Sequence, residues 1–243
     1  ALHHLLNRAM LEIALLRVGD AAPDEDIVEV AWRELARLRD LLKFEFFFST
    51  RREFRAEIIG ELDLVDPEWR TRAADPADVR GVLRQAPLLV APGVLRSFLD
   101  AQLVVADRLV ALGEEPMAEE KEFLEDCLGV GRQMLLQQRL DRADSVSREL
   151  YATAVRQAGN RDLLGEPESG AAGASLGERR AAWLTEVTAV IQDLGRLGEL
   201  QRARLEVVLG SGGTTAPEAA PASPVVPPSG AKQRAEGDTG VAS

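Results

Sequence analysis

Histidine, cysteine, lysine and aromatic residues are all scarce in this 243-residue chain, and each scarcity removes a class of function. A single cysteine, Cys127, forbids an internal disulfide and fits a reducing compartment. It lies in an apolar helical pattern, so it is expected to be a buried, unreactive thiol. The two histidines, His3 and His4, are neighbours. On a helix they project roughly 100° apart, so they cannot share a metal as an i, i+4 pair could. No Cys/His spacing suits zinc, and no GxGxxG, Walker or GxSxG motif occurs. Metal ligands and cofactor-binding residues are therefore expected to be none. Only Lys43, Lys121 and Lys232 are lysines, and the formal net charge is −11. That balance argues against a nucleic-acid partner and against electrostatic attachment to anionic lipid. The longest uncharged apolar run, Pro87 to Leu95, reaches roughly half the ~20 residues of a membrane-spanning helix and contains proline and glycine.

What remains is a helix-forming vocabulary, 46% apolar and 28% charged. Leu2, Leu5, Leu6, Ala9, Met10, Ile13 and Leu16 recur at helical spacing, with Asn7, Arg8, Glu12 and Arg17 on the other side. A second helix is expected from Ile27 to Leu42, and a third from Arg51 to Leu62 behind the capping box Thr50-Arg51-Arg52-Glu53. Residues 63–92 hold four of the twelve prolines and read as loop with at most one short helix, Ala77 to Gln85. Further helices are expected over Val94–Leu112, from Pro116 to Gln138, and from a cap at Asp144 or Ser145 to Gln157. Ser175-Leu176-Gly177-Glu178 is a second capping-box form opening a long helix to Leu209. Its stripe of Leu184, Val187, Ile191, Leu194, Leu197, Leu200 and Leu205 requires a partner helix. The fold class is thus all-α, an irregular bundle of six or seven helices. Residues 1–165 form the main helical region, 166–175 a flexible linker, 176–209 the long C-terminal helix, and 210–243 a Pro/Ala/Ser/Gly-rich tail expected to be disordered. The chain opens without methionine and already in helical period, which reads as a piece of a longer protein.

Five of the seven phenylalanines crowd into LRDLLKFEFFFSTRREFRAEI: Phe44, Phe46, Phe47, Phe48 and Phe54. Core packing, an acyl pocket and a docking face would each concentrate aromatic surface in this way. The alternation of Phe44, Phe46 and Phe48 about Glu45 and Phe47 suits a short extended link with one buried side. These five residues are the candidate docking patch: three or four buried rings would fasten two helices to a core or to an absent domain, and some are expected to stay exposed as an apolar patch. Arg51 and Arg52 at a helix start are either solvent-facing arginines or an anion cradle. The acidic series Glu119, Glu120, Glu122, Glu125 and Asp126 follows a helix and is expected to be a solvated face rather than a general acid/base pair.

That phenylalanine stretch resembles the C-terminal region of bacterial, membrane-associated glycerol-3-phosphate acyltransferases of the PlsB type. Three other stretches agree in the same order: HHLLNRAMLEIALL, VLRSFLDAQLVVADRL and CLGVGRQMLLQQRLDRADSVSRELYATAVRQAGNRDLL, together spanning residues 2 to 164. The resemblance implies acyl transfer from acyl-CoA or acyl-carrier protein to glycerol 3-phosphate, in phospholipid biosynthesis. It also implies peripheral attachment at the cytoplasmic side of the cell membrane. Family members use an HxxxxD motif, in which histidine removes the proton from the attacking hydroxyl and aspartate orients it. Here His3 is followed five residues later by Arg8 and His4 by Ala9, so no catalytic or substrate-binding residue carries over. The resemblance therefore implies a non-catalytic helical part whose partner is an N-terminal acyltransferase domain. A stand-alone helical adaptor, docking a partner through its phenylalanines, is the alternative reading.

Overall fold

The computed structural model describes residues 2–22, 25–70, 76–86, 88–165 and 173–211. Most of the linker and all of the tail beyond Ser211 lie outside these residues, and the first two tail positions, Gly210 and Ser211, extend the last helix. Among the described residues there are helices and turns and no strand. The α-helices are α1 (Leu2–Gly19), α2 (Ile27–Leu42), α3 (Arg51–Val65), α4 (Pro76–Gln85), α5 (Ala91–Ala111), α6 (Glu120–Leu136), α7 (Arg148–Asn160) and α8 (Leu176–Ser211). A 3₁₀ turn, Ala143–Ser145, precedes α7. The short helix expected over Ala77–Gln85 forms as α4, which packs over α1 and brings the α-helices among the described residues to eight.

Both capping boxes form as the sequence predicts. At α3 the Thr50 hydroxyl accepts from the Glu53 amide, and the Glu53 carboxylate accepts from the Thr50 amide. At α8, Ser175 and Glu178 make the same reciprocal pair. Other ends shift. The helix expected from Asp144 or Ser145 starts at Arg148, because the Ser147 hydroxyl, and neither of those residues, caps it by accepting from the Leu150 amide. The helix expected to open at Pro116 begins only at Glu120: Gly113, at φ +60°, turns the chain after α5, and the Met117 amide donates to the Leu164 carbonyl at 2.7 Å instead of entering a helix.

The largest correction concerns α1. Its pattern reads as one-sided, with polar residues opposite the apolar stripe, but α1 is surrounded by α2, α3, α4, α5 and α8, so almost no side of it is free. Asn7 and Glu12 are both buried, and each is given a polar partner. Asn7 donates to Glu57 at 3.1 Å. The Glu12 carboxylate accepts from Arg8 at 2.9 Å, from the Val90 amide at 2.8 Å and from the Ala91 amide at 2.9 Å. The last two are free amides at the start of α5, whose own N-cap residue, Val90, has no capping side chain. A buried carboxylate on one helix thus caps another, and α5 starts at Ala91 instead of Val94.

The partner that α8 requires is α5, and these two make the most extensive helix pair. Trp183, Val187, Val190, Leu194 and Leu197 are buried in the seam, whereas Leu205 lies past it and is exposed. Arg180 of α8 is fully buried and donates to the carbonyls of Leu163, Gly113 and Glu115 at 2.9, 2.8 and 2.9 Å. One guanidinium therefore ties the end of α7 and the turn after α5 to α8.

Candidate functional site

The phenylalanine segment joins α2 to α3, and the end of α2 is fixed by its neighbours. A helix leaves its last carbonyls without internal partners. Here the buried side-chain amides of Gln157 on α7 and Gln102 on α5 donate to the carbonyls of Asp40 and Leu41, at 3.0 and 2.9 Å. The Leu42 carbonyl takes the amides of both Glu45 and Phe46. This makes residues 43–46 a turn rather than the extended link expected from alternation.

The turn reverses the pattern where it is tightest. Phe44 faces outward and Glu45 inward, while alternation resumes at Phe46, Phe47 and Phe48. Phe46 packs edge-on against Phe98 of α5, with centroids 4.7 Å apart, and Phe48 meets Phe54 of α3 at 5.8 Å. Phe54 is buried and Phe46 and Phe48 half-buried, so three of the five candidate rings fasten α2, α3 and α5 together. Phe47 is 89% exposed and Phe44 37%.

The rings floor an open cleft of about 770 Å³ between α2 and α3. Four cations line it, Arg39, Lys43, Arg51 and Arg55, against one acid, Asp40. Arg39 stacks over Phe48 and Phe54 and donates to the Ser49 carbonyl at 2.7 Å. Arg55 lies 4.7 Å over the Trp32 ring. Asp40 pairs with Lys43 at 2.7 Å and with Arg161 at 3.0 Å. Burial alone would raise its pKa, but these two cations hold it below the usual range. Arg39, Arg51 and Arg55 have no carboxylate partner among the described residues.

This basic cleft is absent from the sequence reading, which considered Arg51 and Arg52 alone. The available signal was the i, i+4 pairing of Arg39 with Lys43 and of Arg51 with Arg55, on the two helices flanking the aromatic run. Glu45 points into the interior with one carboxylate oxygen buried and unpartnered. Burial pushes its pKa up to about 7, against a lowering influence from Arg156.

Elsewhere the chemistry is quiet. Cys127 is buried, and burial pushes its thiol up to about 12, as the inert reading predicts. Glu119, Glu120, Glu122, Glu125 and Asp126 are exposed, with Arg108 donating to Asp126 at 2.6 Å. Among the described residues no three His, Cys, Asp or Glu side chains gather as a metal site. His3 and His4 stand on the first turn of α1.

Comparison with known proteins identifies what this arrangement belongs to. Residues 1–166 match the family described as glycerol-3-phosphate acyltransferase C-terminal region. Proteins carrying the name acyltransferase plsB1, from Mycobacterium bovis and from two strains of Mycobacterium tuberculosis, are 38% identical over 204 residues. The alignment covers 83% of this chain and 32% of each relative, so the chain spans about a third of their length. No solved structure matches. The four stretches of sequence resemblance all fall inside the matched span, and the chain belongs to the glycerol-3-phosphate acyltransferase family, to its C-terminal region.

Proposed function

We propose that this chain is the non-catalytic helical part of a glycerol-3-phosphate 1-O-acyltransferase and packs against an acyltransferase domain that carries HxxxxD. The whole enzyme takes an acyl group from acyl-CoA or acyl-carrier protein to the first hydroxyl of sn-glycerol 3-phosphate, feeding phospholipid biosynthesis. It acts peripherally at the cytoplasmic side of the cell membrane. The observation that carries this reading is the family match over residues 1–166 in a chain without HxxxxD. Attack by a hydroxyl requires a base positioned to take its proton, and neither histidine here is followed by aspartate at that spacing. Among the described residues no helix is long and apolar enough to cross a membrane, which agrees with peripheral attachment.

The docking surface of this part is the exposed pair Phe44 and Phe47, seated on the half-buried Phe46 and Phe48 and the buried Phe54. Co-expression of the helical part with an acyltransferase domain of the same family, as separate chains, tests the reading. The two should co-purify and transfer label from palmitoyl-CoA to glycerol 3-phosphate, and Phe47→Asp should separate them. Transfer by the helical part alone would contradict it. The stand-alone adaptor remains the second reading, favoured by the nearly complete exposure of Phe47; it expects capture of a partner by the Phe44–Phe47 face with no acyltransferase domain involved.

A further inference from the structure

Behind the basic cleft lies a second space of different character. A half-open apolar cavity of about 380 Å³ lies among α1, α2, α3, α4 and the Asp66–Arg70 segment. Leu15, Ile58 and Leu62 wall it with almost wholly apolar surface, and Trp32 and Trp69 contribute rings. A concave apolar surface left open to water is a candidate binding surface. The volume falls within the range of ligand pockets, which are typically apolar with a few placed polar groups.

The cavity and the cleft share two residues, Trp32 and Arg55. Their stack, 4.7 Å from guanidinium to ring, forms the boundary between the apolar space and the cationic one. The other charged groups at the cavity are committed or peripheral. Arg70 is paired with Asp63 through both its terminal nitrogens and stacks on Trp69. Asp66 accepts from the Glu68 amide, and Asp78 stands on the exposed first turn of α4. Of the two arginines lining the cavity, Arg55 has no carboxylate partner among the described residues, and it lies on the side where Arg39, Lys43 and Arg51 add positive charge.

We propose that the cavity binds a single-chain anionic amphiphile, with the acyl chain among α1–α4 and its carboxylate or phosphate head at Arg55. The chain replaces void with contacts, and the head meets a donor fork on a ring face in a cleft of four cations and one acid. The inference does not rest on the acyltransferase reading, since it uses only this helical part and no transfer step.

The protein carries its own reporter, because two of its three tryptophans line the cavity and Trp183 is buried in α8. The 243-residue chain is titrated with 9,10-dibromostearic acid and with its methyl ester, and short-range bromine quenching of tryptophan emission is followed. The acid should quench saturably, leaving residual emission from Trp183, and should bind about tenfold tighter than the uncharged ester. Arg55→Gln should bring the acid to the ester's affinity and leave the ester unchanged. Val79→Phe, which fills the α4 side of the cavity, should abolish quenching by both while circular dichroism stays native. If that variant does not fold, the Arg55→Gln comparison of acid with ester still decides. The proposal is overturned by absence of saturable quenching, by equal binding of acid and ester, or by undiminished quenching after Trp32 and Trp69 are both replaced by Phe. A lysophosphatidate titration, competing off the bromoacid, separates a phosphate head from a carboxylate one. Failure to compete restricts the site to carboxylates.

Discussion

At the scale of the residue, the sharpest consequences come from groups whose surroundings oppose their chemistry. Glu45 is an acid facing inward, with its pKa raised by burial to about 7. A raised acid is stabilising when protonated, so its contribution is fully present below the unfolded pKa and is lost as pH rises through about 7. Glu45→Gln should therefore raise the melting temperature at pH 8 and lose this advantage below about pH 5. Thermal melts at the two pH values check the sign, and a larger gain at the acidic end would refute the placement of Glu45. A second pressure point is Gly131 on α6, where an added Cβ would lie 2.1 Å from the Tyr151 hydroxyl oxygen. Tyr151 is buried and cannot withdraw easily. Gly131→Ala should cost about 1–3 kcal/mol despite its better helix propensity, measurable by urea unfolding.

At the scale of the element, helix ends are held by side chains from other helices. Removing the buried carboxylate in Glu12→Ala leaves Arg8 and the Val90 and Ala91 amides without it, and should cost about 2–4 kcal/mol. Amide exchange at the start of α5 should accelerate more than at α7, and uniform acceleration would mean that Glu12 does not act as a cap. This polar stitching also marks where the sequence stopped being legible. Periodicity and local capping boxes are short-range signals, so α2, α3 and the start of α8 were readable from them. The Glu12 cap joins residues 78 and 79 positions apart, and the Gln102 and Gln157 bonds to α2 span 61 and 117. No local pattern encodes such pairs. For the same reason α1 read as one-sided when it is enclosed, and the turn after α2 read as extended when Leu42 closes it. The phenylalanine cluster was legible as a candidate surface, but which rings remain outside depended on Phe98 and on that turn.

At the scale of the whole molecule, the net charge of −11 conceals a local reversal. Acids crowd α6, whereas α2 and α3 bring Arg39, Lys43, Arg51 and Arg55 together over an aromatic floor. The total charge argued against nucleic acid and against an anionic lipid surface, yet fields at a cleft are set by nearby groups. The non-catalytic role proposed for this helical region makes acyl transfer depend on another domain. The most direct measurement is transfer of labelled palmitate from palmitoyl-CoA to glycerol 3-phosphate by the purified 243-residue chain. No product above the enzyme-free blank is expected. Turnover by this chain, abolished by His3→Ala or His4→Ala, would contradict it.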